Sequence, residues 1–415
     1  MIDMTETCCG FIDAGACDCA IDEETNEIEA VYDCCQECEL DADCDGYAES
    51  CEDGCCASDE IELTIPFDNQ NNIAAGGYHS LALTTSGDIL GWGYNENGET
   101  DVPGGLEDVM AIATGYASLA LTVPGDVIAW GDNTYGQTDV PEDLENVVAI
   151  SVGHAHVLAL TSSGDVIAWG GNAYGQTDVP GGLEDVVAIA GGGNHSLALT
   201  ASGNIVAWGR NNDGQLNVPE GLEDVIAIAA GGTSNARSHS LALTASGDVV
   251  AWGSNSHGQT DVPDGLSDVV AITGGGYHSL ALTASGNVIA FGCCQDQTDV
   301  PDGLEGVVAI AAGVSHSLAL TATGDLIAWG SNNTGQTDVP DGLEVLVYCD
   351  SEGNVYDQCG VCDGDGSSCA SHFIVEIEET GESTLFIFED SITSLDLGDE
   401  IGLFDENGII DTLWG

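Results

Sequence analysis

The sequence predicts an all-β chain: a seven-bladed β-propeller flanked by a small disulfide-rich N-terminal segment and an incomplete C-terminal β module. Two observations predict the propeller. An aromatic-Gly pair returns about every 39 residues, at Trp92, Trp130, Trp169, Trp208, Trp252, Phe291 and Trp329. Each interval also holds several short runs of alternating apolar residues, and a period of this length with several strands per copy is typical of propellers.

Each copy carries the same succession of strand and turn signals. Leu-Ala-Leu-Thr is suited to a short buried strand, and the Ser-Gly pair that follows, as at Ser163-Gly164, favours a hairpin because glycine adopts positive φ. The return strand ends on Trp-Gly, and a Gln-Thr-Asp-Val-Pro strand is then stopped by its proline. A β-branched run such as Val186–Ala190 is typical of a strand buried on both faces. We therefore expect four short strands per blade, with Val345–Val347 closing the ring against the first blade.

The repeated wording is clearest at Val127–Pro141 (VIAWGDNTYGQTDVP) and Ile167–Pro180 (IAWGGNAYGQTDVP). It resembles the regulator-of-chromosome-condensation family, whose copies also carry Gly-x-x-His-Ser-Leu-Ala-Leu and Trp-Gly-x-Asn-x-x-Gly-Gln. Among such propellers it is most similar in wording to the bacterial beta-lactamase-inhibitor proteins of type II. The resemblance covers residues 73 to 344 and implies a propeller that binds proteins through its rim loops. It implies no particular partner, because propellers are scaffolds for unrelated tasks.

The charge of the chain restricts its partners. It has 71 Asp and Glu residues against 2 Lys and Arg, both arginines (Arg210 and Arg237), for a formal net charge of −69. Nucleic acids and anionic membranes attract Lys and Arg and repel such a surface, so we expect no nucleic-acid partner, no chromatin role and no membrane insertion. Carboxylates in this number favour solubility in salty water, which is typical of a marine or halophilic bacterium.

Composition divides the chain into parts. We predict a cysteine-rich acidic segment at residues 1–60, the propeller at 61–347, a Cys/Asp/Gly spacer at 348–370 and a partial β-sheet module at 371–415. Most of the 17 cysteines lie in the first part, and dense cysteines with little apolar content favour disulfides made outside the cytosol. Zinc bound by Cys17-x-Cys19 and Cys34-Cys35-x-x-Cys38 is the alternative. The spacer is similar to a short cysteine-rich element of secreted proteins with thrombospondin motifs.

The two ends of the sequence look truncated. Met1–Cys9 has neither the basic nor the apolar part of a signal peptide, and the residues after Ala370 are too few for an independent sheet. A secreted-looking chain of this kind is most simply a fragment. We expect its location to be extracellular or at the cell surface.

One acidic stretch has the spacing of a calcium loop. Oxygen-bearing residues alternate around Gly46 as in the twelve-residue loop that wraps one calcium ion. The predicted ligands are Asp41, Asp43, Asp45, the backbone carbonyl of Tyr47, and Glu52. A solvated acidic loop is the alternative, because chance matches are frequent in a chain this acidic. Loss of calcium binding in Asp43→Ala would separate the two.

The repeated histidines are the most tempting catalytic candidates. They occupy one place in successive copies, with Ala117 in the second: His79, His156, His195, His239, His278 and His316. A residue repeated around a ring is typical of a structural position. The sequence has no nucleophile elbow, phosphate loop or dinucleotide fingerprint, so we expect a protein that is not an enzyme.

Positions that vary between copies are the candidates for recognition. The loop after Trp-Gly and the residue before the repeated histidine both change from copy to copy, and the fifth copy has an insertion at Thr233–Arg237. Tyrosines at such places are good binding anchors, and we expect the rim site to contain Tyr78, Tyr94, Tyr135, Tyr174 and Tyr277. The predicted function is a secreted or cell-surface adhesion module for a protein or glycan. The alternatives are a secreted enzyme inhibitor, or a lyase or hydrolase that uses channel carboxylates on extracellular polysaccharide.

Overall fold

The computed structural model describes residues 69–233, 236–292, 296–347, 401–405 and 408–413. Apart from a 3₁₀ turn at Asn69–Asn72, its regular elements are β-strands, and seven three-stranded sheets follow one another as blades. Within these ranges, no helix is long and apolar enough to cross a membrane. The predicted all-β, seven-bladed propeller is thus confirmed.

The strands have closely similar bounds from blade to blade. Blades one to four are β1 (Ile73–Ala75), β2 (His79–Leu83), β3 (Ile89–Gly93); β4 (Val109–Thr114), β5 (Ala117–Thr122), β6 (Val127–Gly131); β7 (Val147–Val152), β8 (His156–Thr161), β9 (Val166–Gly170); β10 (Val186–Gly191), β11 (His195–Thr200), β12 (Ile205–Gly209). Blades five to seven are β13 (Val225–Thr233), β14 (Ala236–Thr244), β15 (Val249–Gly253); β16 (Val269–Gly274), β17 (His278–Thr283), β18 (Val288–Gly292); β19 (Val307–Ala312), β20 (His316–Thr321), β21 (Leu326–Gly330). A separate antiparallel hairpin pairs β22 (Ile401–Asp405) with β23 (Gly408–Leu413), with Asp405 opposite Gly408.

All three strands of a blade pair antiparallel in chain order. In blade four the second and third strands put His195 opposite Gly209 and Ser196 opposite Trp208. The same register recurs in the other blades. It matters for the site, because these three positions, which are histidine, serine and tryptophan in most blades, are brought to one edge of every sheet.

The expected fourth strand is absent from these blades, and that prediction is wrong. In blade three the Gln-Thr-Asp-Val-Pro segment is a turn in which Asn172 donates to the Asp178 carboxylate at 2.7 Å and accepts from the Thr177 N–H at 3.2 Å. The Asp178 N–H goes to the Gly175 carbonyl at 3.1 Å, and Pro180 has no N–H to give. The N–H groups of Thr177 and Asp178 are therefore bonded within the loop, and the Gln176 carbonyl accepts from Ser196 and Trp208 of the next blade, so these groups are not available to a ladder.

The ring is closed by the segment that was expected to close it. Val345 pairs with Thr84 of blade one, and the Leu346 N–H donates to the Leu83 carbonyl at 2.9 Å. Asn72 in turn donates to the Leu346 carbonyl at 2.9 Å. The equivalent of a blade's first strand is thus shared between Val345–Val347 and Ile73–Ala75, so the two ends of the propeller are held in one sheet.

The hydrophobic core lies between blades rather than within them. One cluster joins Leu119 and Leu121 of blade two to Val157, Ala159 and Trp169 of blade three. The leucines of the Leu-Ala-Leu runs are almost completely buried in every blade. Since each cluster needs two blades, the ring as a whole is the folding unit.

Candidate binding face

Two sets of loops meet on one face of the propeller. The loop before a blade's second strand and the loop after its third strand lie at the same sheet edge, since the strands are antiparallel. The backbone joins them: the Tyr94 N–H donates to the Tyr78 carbonyl at 3.0 Å, and the Arg210 N–H donates to the Asn194 carbonyl at 3.0 Å. We call this surface the axial face. The varied positions that the sequence singles out lie on it.

A glycine ring forms the centre of the axial face. It surrounds a shallow depression that is lined by one such residue per blade: Gly76, Gly115, Gly153, Gly192, Gly231, Gly275 and Gly313. A Cβ on Gly153 would overlap the His156 ring and lie 2.5 Å from the Gly192 carbonyl oxygen. Neighbouring blades bond through these carbonyls, as where the Val314 N–H donates to Gly76 at 3.1 Å. Close approach of the backbones therefore requires glycine here.

The repeated histidines are structural, as the sequence predicts. Each Nε2 lies within hydrogen-bond distance of a serine hydroxyl on the following blade: His79–Ser118 (2.8 Å), His156–Ser196 (3.0 Å), His195–Ser240 (3.0 Å), His239–Ser279 (2.9 Å), His278–Ser317 (2.9 Å) and His316–Ser80 (3.0 Å). Each serine gives its one hydrogen to a backbone carbonyl, as Ser196 does to Gln176 at 2.8 Å. The histidine must then be the donor, which assigns the hydrogen to Nε2.

Burial keeps these histidines neutral. It lowers the pKa of His156 and His239 to about 4 and that of His195 and His278 to about 3. Five of the six rings leave Nδ1 without a partner in the structure, so a second proton would find no acceptor. A group held in this state is suited to joining blades and is a poor general base at neutral pH.

The joint between blades two and three is built differently. Ala117 stands in the place of the histidine and Val157 in the place of the serine, and both pack in one hydrophobic cluster. The Gln137 carbonyl at this joint still accepts from the Trp169 indole N–H at 3.0 Å. Both members of the polar pair are therefore replaced together by an apolar pair.

Aromatic side chains surround the depression on the side of blades one to three. Tyr78 lies 6.3 Å from Tyr94 and 6.1 Å from Tyr116 between ring centroids, and Tyr116 lies 4.0 Å from His154. Two of the predicted rim tyrosines are thus brought together with Tyr116 and His154, which sequence reasoning missed. Tyr135, 57% exposed, has no ring contact with another aromatic residue of the described ranges.

This aromatic group lies beside carboxylates. Tyr94 donates to Glu96 at 3.0 Å, and that hydrogen bond raises the pKa of Tyr94. Burial raises the pKa of Tyr116, with a smaller contribution from Asp132. Burial also lowers the pKa of His154 to about 4, although Asp132 acts in the opposite direction. The blade one to three side is therefore aromatic and negatively charged, with a neutral histidine.

Two further predicted tyrosines, Tyr174 and Tyr277, each lie under an arginine side chain. The Arg210 guanidinium lies 4.9 Å from the centre of the Tyr174 ring, and that of Arg237 lies 5.5 Å from the centre of the Tyr277 ring. His257 is the third member at Tyr277, with 5.1 Å between ring centroids. Sequence reasoning did not assign the arginines or His257 to the site. The rarity of arginine in so acidic a chain was the sequence signal that could have found Arg210 and Arg237.

The predicted metal ligands lie outside the described residues: Asp41, Asp43, Asp45, Tyr47 and Glu52. So do the N-terminal and C-terminal cysteines and a weaker acidic candidate at Asp357, Asp363 and Asp365. Within the ranges that the structure describes, no group of three or more His, Cys, Asp or Glu side chains could hold a metal ion. Calcium stays a prediction.

Comparison with known proteins agrees with the geometry. A family model described as Regulator of chromosome condensation (RCC1) repeat matches residues 71–99, 147–176, 186–215, 237–259 and 307–336. The unmatched blades are two and six, where Ala117 and Phe291 replace repeated residues. No curated protein matches the sequence.

Solved structures of plant receptor kinases share the fold. The entire ectodomain of CR4 from Physcomitrella patens is 21% identical, with a TM-score of 0.52, over 63% of this chain and 74% of that one. The CRINKLY WD40 ectodomain of ACR4 from Arabidopsis thaliana is 20% identical, with a TM-score of 0.51, over 62% of this chain and 96% of that one.

Prp20p from Saccharomyces cerevisiae is 22% identical, with a TM-score of 0.48, over 60% of this chain and 81% of that one. The chain is an RCC1-type repeat propeller, and such a propeller suggests a protein-binding module.

Proposed function

We propose that this chain is a non-enzymatic, secreted or cell-surface binding module whose axial face receives a protein partner or a glycan. The observation that carries the proposal is the contrast within one ring. The glycines, histidines and serines recur from blade to blade, whereas tyrosines, His154, His257 and both arginines occupy only some positions on the same face. Tyrosine and arginine are enriched among residues that dominate binding energy.

Chemistry on polysaccharide has less support. A carboxylate mechanism needs two acids facing one substrate. The described residues that line the depression are mainly glycine, with Thr114, Tyr116 and His154 as the polar side chains, and include neither Asp nor Glu. Inhibition of a secreted enzyme is a form of protein binding and would use the same face.

Paired tyrosine substitutions test the proposal. The first variant is Tyr78→Ser with Tyr94→Ser, and the second is Tyr174→Ser with Tyr277→Ser. Binding to immobilised cell-surface material should weaken by roughly tenfold or more in at least one variant, because buried tyrosine anchors contribute on the order of 2 kcal/mol. Protease treatment of that material distinguishes a protein partner from a glycan.

Val123→Ser is the matched control. Val123 is as exposed as Tyr135, at 57%, but lies in the hairpin between β5 and β6, at the opposite sheet edge. Unchanged binding in both tyrosine pairs, with melting temperatures equal to that of the parent chain, would rule out the axial face. A loss caused by Val123→Ser alone would move the site to the other edge.

A further inference from the structure

Both positive side chains of this protein lie on the axial face. The sequence has 2 Lys and Arg residues in 415, and each of the two guanidinium groups lies over a tyrosine ring. Within the described ranges, no carboxylate forms an ion pair with either one. In so acidic a chain, two arginines that pair with none of the described carboxylates point to a use other than internal charge pairing.

Arg237 is held in an unusual backbone conformation. It belongs to the segment that only blade five has, and its φ is 79°, a left-handed value that is uncommon for residues other than glycine. The Asp213 carboxylate accepts the Arg237 N–H at 2.9 Å, and the Gln259 side chain donates to the Arg237 carbonyl at 3.4 Å. Neighbouring blade loops thus fix the backbone and leave the side chain exposed.

The two arginines differ in how many donors they have left. The Asn212 amide oxygen, turned toward Arg210, accepts from both Nε and Nη2 at 3.2 Å, so one fork of that guanidinium is occupied. Arg237 gives one hydrogen to His257 Nε2, at 3.5 Å from Nη1. A guanidinium has five N–H donors, so four remain on Arg237. His257 in turn bonds Ser256 through Nδ1 at 2.8 Å.

We propose that Arg237, lying over Tyr277 and beside His257, binds an acidic side chain or C-terminal carboxylate of the protein partner. This site rests on the proposed function, because the partner is the one that the axial face receives. The planar fork of arginine fits a carboxylate through two parallel hydrogen bonds. The Tyr277 ring holds the guanidinium plane, and His257 fixes its rotation about the side chain.

The large negative charge of the chain does not prevent this contact. Exposed charges farther apart than about 8 Å are largely screened at physiological ionic strength, and more so in salty water. The contact is decided by the N–H donors of the guanidinium and by the groups beside them. Among these, the Asp213 carboxylate is bound to the Arg237 backbone N–H. The site therefore selects a partner at short range, whereas the remaining surface repels other anionic molecules.

The composition of the chain makes the test direct. Labelling the full chain with ¹⁵N-arginine gives two side-chain Nε–H signals, which the variants Arg210→Gln and Arg237→Gln assign by the loss of one signal each. The probes are sodium acetate and sodium sulfate, titrated at constant ionic strength against sodium chloride. We expect acetate to shift the Arg237 signal in a saturable way and to leave the Arg210 signal almost in place. Saturation should weaken severalfold in His257→Ala, with the Arg210 signal reporting that the variant is folded.

Two results would overturn the proposal. One is an equal, non-saturating shift of both arginine signals, which would reflect general ion effects. The other is a saturable shift with sulfate and none with acetate, which would exclude a carboxylate. The two experiments fail in distinguishable ways: unchanged binding in the tyrosine pairs rejects the axial face as the surface that receives the partner, whereas the acetate titration tests whether Arg237 binds a carboxylate at all.

Discussion

The histidine–serine pairs show how single residues hold one blade to the next. Six joints use a buried imidazole that donates to a serine, and the joint of blades two and three uses Ala117 and Val157 instead. A lone histidine at that joint would lose its acceptor, and a lone serine would lose its donor. An unsatisfied buried polar group costs about 1–3 kcal/mol. The two positions therefore act as one unit, which explains why both are replaced together.

This coupling can be measured at the joint of blades six and seven. We expect the free-energy cost of His278→Ala with Ser317→Val to be smaller than the sum of the two single costs, by roughly 0.5–3 kcal/mol. Urea unfolding of the four chains gives the coupling energy. His278→Ala combined with Ser196→Val, from a different joint, is the control and should be additive. Additivity within the His278–Ser317 pair would show that the hydrogen bond contributes nothing.

Residue identity alone predicted part of this arrangement. That the repeated histidines are structural follows from their recurrence, because a catalyst needs an asymmetric setting. The link between Ala117 and Val157 does not follow, since it depends on the histidine pointing into the next blade. Tyr116 was missed for a similar reason. The loop that contains it is one residue shorter than the equivalent loop of blade four, as the pairings Thr114–Ser118 and Gly191–Ser196 show. Its equivalence to the other rim positions is therefore hidden in the sequence.

At the scale of the elements, the strand pattern was predictable where apolar periodicity decides the structure. The Leu-Ala-Leu and Trp-Gly strands fall where the sequence puts them, since their alternate residues must enter the core between blades. The fourth strand does not form because side-chain bonds, such as the one that Asn172 accepts from the Thr177 N–H, take up backbone groups of its segment locally. Strand propensity does not include this competition between side-chain bonds and the bonds of a β-ladder.

The glycine ring at the ends of the first strands of the blades leads to a prediction about stability. Gly153→Ala should destabilise the propeller by about 1–3 kcal/mol or more, because its Cβ has to displace the His156 ring or the Gly192 backbone. Gly181→Ala is the control, since nothing lies within 4 Å of its Cβ. That substitution should be neutral or stabilising by up to about 1 kcal/mol. Thermal unfolding compares the two, and equal melting temperatures would contradict the close-packed ring.

For the whole molecule, closure of the ring stabilises the folded propeller, whereas its net charge destabilises it. The pairing of Val345 with Thr84 joins the two ends of the ring, so blades share one cooperative unit. A formal net charge of −69 repels itself and favours expansion, an effect that added salt reduces. Between pH 7 and 5 the joint histidines take up protons in the unfolded chain but hardly in the folded one, where burial lowers their pKa to about 3 to 4.

The histidines therefore predict the stability of the whole ring in mild acid. Their pKa is about 6.5 when the chain is unfolded and about 3 to 4 in the folded protein, as for His195 and His156, because burial disfavours the charged ring. The unfolded chain then binds more protons below pH 6.5, so stability is full above that pH and declines as the pH falls toward the folded values. Each histidine contributes up to about 1.4 kcal/mol per pH unit.

Urea unfolding at pH 7, 6 and 5, at constant salt, measures this decline. The double variant His278→Ala with Ser317→Val retains five of the six joint histidines, so its stability should fall less steeply than that of the parent chain. Removing a histidine changes the slope, whereas a general charge effect would leave it unaltered. Stability that stays constant or rises between pH 7 and 5 would mean that these rings accept protons without opening the joints, and the neutral histidine–serine pairs would then not be what holds neighbouring blades together.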